Sequence, residues 1–194
     1  FLESAEKNIS GTDKCFILYR SDKAYANAYK EIESNFPSTI FIKQQNKNDF
    51  KPLLVNILNN IGPYVIFAVD DIIVRKRIDL NSDKQLLEKT KAYGFYYRLG
   101  KNITFCYPLN MQTAPPNLNL IKDNAFSFKI SDGKGDWGYP NSVDMVLVRS
   151  KDVKNLFSKL NYKNPNNLEG KWSEYANYNQ LGLCYEESAI VNFP

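Results

Sequence analysis

Histidine is missing from this 194-residue chain altogether. Its absence removes Ser-His-Asp and Cys-His nucleophilic machinery and imidazole metal ligation, so any acid, base or ligand role falls to carboxylates. Cysteine is scarce: Cys15, Cys106 and Cys184 show no C-x-x-C spacing and an odd thiol is left over, which argues against a zinc ribbon or a disulfide framework. Free thiols in a reducing compartment are the expectation. No apolar run approaches the ~18 residues of a membrane span, and the start FLESAEKNIS lacks the three regions of a signal peptide. The expected setting is therefore cytoplasmic, with no transmembrane segment.

Charge of one sign is also lacking. The formal net charge is only +4, and Arg75-Lys76-Arg77 is the one tight basic cluster. A solvated loop accounts for that cluster better than a nucleic-acid groove does, so no nucleic acid is expected as a partner. Aromatic residues make up 14% of the chain and hydrophobic residues 43%, enough for a well-filled interior. The length fits one domain over 1–194.

Cys15 to Tyr19 (CFILY) reads as a buried strand ending in the turn Arg20-Ser21-Asp22. Tyr25, Ala28, Ile32 and Phe36 recur at helical spacing up to Pro37. Thr39 to Ile42 gives a second strand, and Asn48 or Asp49 caps a helix whose stripe is Phe50, Leu53, Leu54, Ile57 and Leu58. Tyr64 to Val69, after Gly62-Pro63, reads as a central strand. Strand and helix in alternation predict a parallel sheet with right-handed crossovers, and ligands beyond the carboxyl ends of its strands. Ser82 with Gln85 forms a capping box for a helix reaching about Tyr93. Strands are expected at Phe95 to Leu99, Ile103 to Tyr107, Ala125 to Ile130 and Val143 to Arg149. Helices follow at about Lys151 to Leu160 and after Pro165-Asn166-Asn167, and Pro108 to Asn119 is expected to be a long ordered loop.

Asp70-Asp71 closes the most apolar stretch. Two adjacent carboxylates there must be solvated, paired or bound to a cation, and their oxygens suit Mg²⁺ or Mn²⁺ completed by water and substrate phosphate. A solvated turn is the plain alternative. Arg20-Ser21-Asp22 can border a nucleotide or cap the next helix. Arg98 in an apolar strand needs a partner, either a phosphate or a structural carboxylate. The segment Gly133 to Asp144 carries glycines, the flat rings of Trp137 and Tyr139, and two possible bases, Asp136 and Asp144. A rigid aromatic turn is its plain reading.

In order, the turn after Cys15 to Tyr19, the Asp70-Asp71 pair, YRLGKN at 97–102 with Phe105-Cys106-Tyr107, DWGYP at 136–140 with Ser142-Val143-Asp144, and Asn164-Pro165-Asn166 with Leu168-Glu169 resemble small bacterial glycosyltransferases of the GT-A fold. The resemblance implies a Rossmann-like α/β domain with a mixed, mostly parallel central sheet flanked by helices. It further implies a nucleoside-diphosphate sugar, UDP-sugar foremost, and an unknown acceptor. Asp71 and Asp70 would hold Mn²⁺ or Mg²⁺ on the diphosphate. Tyr19, Arg20, Ser21, Asp70 and Arg98 would border the donor, Trp137 would wall the sugar, and Asp144 or Asp136 would serve as base or stabiliser. This sequence departs from the pattern in having Asp-Asp-Ile for Asp-x-Asp and Met145 where a small residue such as glycine is expected, and a lid or acceptor element is expected beyond Pro194. A catalytically silent nucleotide-binding module and a Mg²⁺-dependent phosphohydrolase or nucleotidyltransferase are the other readings.

Overall fold

The computed structural model describes residues 1–193. Helix α1 (Leu2–Asn8) leads into strand β1 (Cys15–Tyr19), helix α2 (Ala26–Asn35) and strand β2 (Thr39–Lys43). Next come α3 (Phe50–Asn59), β3 (Tyr64–Phe67), β4 (Ile72–Val74), α4 (Leu80–Thr90) and β5 (Gly94–Tyr96). Strands β6 (Asn119–Lys122), β7 (Ala125–Lys129) and β8 (Val146–Arg149) precede helices α5 (Ser150–Lys159) and α6 (Pro165–Ser173). Strands β9 (Leu181–Tyr185) and β10 (Ile190–Asn192) close the described chain.

The main sheet has six strands in the order β6-β7-β9-β5-β8-β3. Its pairings are antiparallel except for β9 with β5, so the expected mostly parallel sheet is corrected to a mixed, mostly antiparallel one. Strands β1 and β2 do run parallel, but they form a separate two-stranded sheet. β3, expected at the centre, is the edge of the main sheet. A short apolar run reports that a strand exists and not which neighbours it takes.

Side chains alternate between the two faces of the main sheet. Tyr96, Val146, Val148, Phe128 and Cys184 join α3, α5 and α6 in one core, centred on Phe157 and Trp172. Phe95, Tyr97, Leu147, Leu183 and Tyr185 join α4 and the β4 and β10 strands in the other. The architecture is thus mixed α/β, with helices on both faces.

Local signals mostly landed, with informative exceptions. Helix α4 starts at Leu80, because the Asp79 side chain accepts from the Asn81 and Ser82 amides and displaces the expected Ser82 cap. It ends at Lys91, whose φ of 58° closes the helix before Gly94, which instead opens β5. Asp49 precedes α3 but spends its carboxylate on the Gln45 and Asn46 amides. Asn164 caps α6 through the Asn167 amide, with Pro165 in the first turn. All three thiols are free. Among the described residues no helix is long and apolar enough to cross a membrane.

Candidate functional site

Antiparallel register builds the site. β3 pairs with β8 so that Phe67 faces Val146, and β8 pairs with β5 so that Val146 also faces Tyr96. The end of β3, the start of β8 and the end of β5 therefore lie at one edge of the sheet, which carries Asp70-Asp71, Asp144 and Arg98 there. β10 adds a fourth element: Asn192 faces Ile72, and the Phe193 amide donates to the Asp71 carbonyl at 2.8 Å.

Asp70 and Asp71 are exposed on the turn between β3 and β4. Asp144 is half-buried. Its carboxyl is pushed above the usual carboxylate range, first by burial and then by the neighbouring charge of Glu169 and of Asp71, while Arg98 and the Asn192 side chain pull it down. Asp144 thus feels the charges of two further carboxylates and one guanidinium. Glu169 also accepts from the Val143 amide at 3.0 Å, and Ser142 Oγ accepts from the Asp144 amide at 3.1 Å, so the backbone around Asp144 is held from both sides.

Met145 takes φ of 54°, in the left-handed region where glycine is at home, while its side chain is fully buried. Its amide donates to the Phe67 carbonyl and its carbonyl accepts from the Tyr97 amide. The kink therefore stitches β3, β5 and β8 together beside Asp144, at a backbone cost of about 1 kcal/mol. The glycine expected there on resemblance has a conformational basis.

Other expected site residues fall elsewhere. Trp137 is 1% exposed; its Nε1 donates to the Ile103 carbonyl at 3.0 Å and its ring packs edge-on with Phe128. It fills the core rather than walling a sugar, because its apolar ring gains more from burial than from one stacked ligand. Arg98 Nη1 donates to the Asp136 carbonyl at 3.0 Å and Nη2 to the Tyr139 carbonyl, so this guanidinium clamps the 136–139 loop. Its Nε is buried without a hydrogen-bond partner among the described residues. Gly133 permits the same loop to fold on itself, since a Cβ there would run into the Trp137 carbonyl. Asp136 sits in the short turn Gly135–Gly138 and is not among the charges acting on Asp144.

In the first unit, formed by β1, α2 and β2, Tyr19 stacks on Tyr29 with ring centroids 4.1 Å apart and donates its hydroxyl to Glu33 at 2.9 Å. Arg20 is exposed, and the Ser21 hydroxyl is buried with no partner among the described residues. No hydrogen bond among the described residues ties these three side chains to the Asp71 and Asp144 group. Sequence reasoning missed Glu169 and Asn192 as members of that group. Glu169 was visible only as part of a motif, and nothing local marks Asn192.

Among the described residues no three His, Cys, Asp or Glu side chains stand close enough to enclose a metal. Asp70 and Asp71 fit the other mode of binding Mg²⁺ or Mn²⁺, in which one or two carboxylates hold an ion completed by water and substrate phosphates.

The chain thus presents a mixed α/β scaffold with an acidic group at one sheet edge. It is 31% identical over 172 residues to bifunctional glycosyltransferase pgtA of Dictyostelium discoideum, a match covering 81% of this chain and 22% of that protein. The match supports a glycosyltransferase family, and the chain spans about a fifth of the relative's length. No family profile matches the chain, and no solved structure matches it.

Proposed function

We propose that the Asp71 and Asp144 edge is the donor site of a metal-dependent glycosyltransferase with a GT-A-like plan, taking a sugar from a nucleoside diphosphate, UDP foremost. The observation that carries this reading is the strand register that brings Asp70-Asp71, Asp144 and Arg98 to one edge of the sheet, with Glu169 bonded to the Val143 amide beside Asp144. Asp71 and Asp70 would hold Mn²⁺ or Mg²⁺, which supplies charge neutralisation for the departing diphosphate.

Asp144 is the group suited to receive a proton. Burial and its acidic neighbours raise its affinity for one, which matches the needs of a general base. In the proposed transfer the acceptor hydroxyl oxygen bonds to the anomeric carbon. The bond from that carbon to the diphosphate oxygen breaks, the electron pair leaves with the diphosphate, and the hydroxyl proton passes to Asp144. Glu169 and the Ser142 hydroxyl position the backbone around Asp144, and Arg98 holds the adjoining loop.

Isothermal titration with uridine and guanosine diphosphates, with and without Mn²⁺, tests the site. Metal-dependent binding of a nucleoside diphosphate, weakened by Asp71→Asn, is expected. Donor-sugar hydrolysis should fall by about a hundredfold or more in Asp144→Asn. Absence of metal-dependent nucleotide binding would end the reading. A silent nucleotide-binding module is the second reading, favoured by the lack of three enclosing carboxylates among the described residues; it predicts binding with hydrolysis at background in both proteins.

A further inference from the structure

A recess of about 570 Å³ opens away from the proposed donor site, sharing no lining residue with Asp70, Asp71, Asp144 or Arg98. Its walls come from the end of α1 with the Ile9–Ser10 bridge to Ile78–Asp79, the first turn of α4, and the β6–β7 turn. The volume lies in the range of small-ligand sites.

The floor is chemically unusual. Asp83 is 1% exposed, yet no Lys or Arg pairs with it among the described residues. Tyr97 and Tyr185 donate their hydroxyls to it at 2.9 and 2.7 Å, both to the same oxygen, Oδ2. Oδ1 receives no side-chain hydrogen bond among the described residues. A buried carboxylate without a cation is costly, and burial pushes its proton affinity up to about 6, with the charge of Asp79 adding to the effect and the two tyrosine hydroxyls opposing it. At the mouth stand Lys7, Arg77 and Lys122, together with Glu6 and Asp123. Lys122 leans on Asp123 at 3.9 Å, while Lys7 and Arg77 have no carboxylate within ion-pair distance among the described residues.

We infer that this recess binds a small zwitterion, with an ammonium group against Asp83 at the floor and a phosphate group against Arg77 and Lys7 at the mouth. The floor lacks a cation and the mouth has unpaired ones, so a ligand carrying both charges a short distance apart satisfies each. An ammonium would complete the hydrogen bonding of Asp83 through Oδ1, and charge-assisted bonds of that kind are the strong ones. A purely anionic ligand would leave the floor unmet, and a purely cationic one would face Lys7 and Arg77.

The probe is O-phosphoethanolamine, with ethanolamine and inorganic phosphate as its halves, titrated calorimetrically into the full chain at about pH 8, where the carboxyl is ionised and the ammonium kept. Saturable binding of the whole probe, tighter than either half, is expected. Asp83→Asn should weaken the probe and ethanolamine by about tenfold or more and leave phosphate unchanged. Should that variant not fold, Arg77→Ala decides: it should weaken the probe and phosphate and spare ethanolamine. Asp144→Asn should leave probe binding intact. No saturable binding, indifference to both Asp83→Asn and Arg77→Ala, or loss in Asp144→Asn would each overturn the inference, and the last would place the probe at the donor site. Once binding is seen, sedimentation with phosphatidylethanolamine vesicles identifies a lipid headgroup as the source, and binding of the soluble probe alone identifies a free solute.

Discussion

The first 49 residues and the remainder of the chain were built from similar material and came out differently. Not one side chain in 1–49 is buried, whereas from Phe50 onward two cores close on the main sheet. CFILY in β1 is as apolar as VLVR in β8, yet β1 is half-buried throughout and three of the four residues of β8 are buried. β8 has a strand on either side and helices on both faces. β1 pairs only with β2, touches α3 and the helical core through Leu18, and meets α2, which buries no residue of its own, at Tyr29 and Glu33. Burial belongs to the arrangement and not to the strand, since each face removed from water contributes in proportion to its area.

Three measurements would sharpen or break this contrast, in decreasing size of effect. Trp172→Ala empties the centre of the helical core, where the ring meets Phe67 and Phe157, and should cost about 3–5 kcal/mol in chemical denaturation. Asp83 gives the second. Its carboxyl binds a proton near 6 when folded against 3.8 ordinarily, so between those values the native state holds the extra proton. The group's stabilising contribution is full below about pH 4 and is lost as pH rises through about 6, a fall of about 3 kcal/mol. Denaturation at a series of pH values should show that slope in the native sequence and a flatter one in Asp83→Asn. Last, Tyr29→Ala removes the ring stacked on Tyr19 in the first unit and should cost only about 1 kcal/mol. A loss there equal to that of Trp172→Ala would show that the β1-α2-β2 unit is as tightly built as the sheet, and the contrast would fall.

Legibility followed the range of the physics. α2, α3 and α5 were readable within a residue or two, because an apolar stripe, a capping residue and a proline act over one or two turns, while α6 starts three residues earlier than expected, at Pro165. The start of α4 was misplaced by a competing cap, Asp79, three residues before the expected Ser82. Sheet order was not readable: β9, a central strand of the main sheet, was not anticipated, and β3 moved from centre to edge. The acidic site was half readable. Asp70-Asp71 and Asp144 stood out by chemistry, but they meet through the antiparallel pairing of β3 with β8, not by lying past parallel strands. Trp137, expected to wall the sugar, fills the core, whereas Arg98, read as partner of either a phosphate or a structural group, clamps the backbone of the 136–139 loop.

The residues alone determined that no imidazole can do acid or base work, that the chain is α/β, and where most helices and strands lie, because composition and periodicity are local properties. Only the tertiary structure decided which strands pair, that Glu169 and Asn192 stand beside Asp144, and that Asp83 sits at the floor of a recess without a cation. Those outcomes depend on which apolar surfaces find each other across the whole chain, and no short window of sequence holds that information.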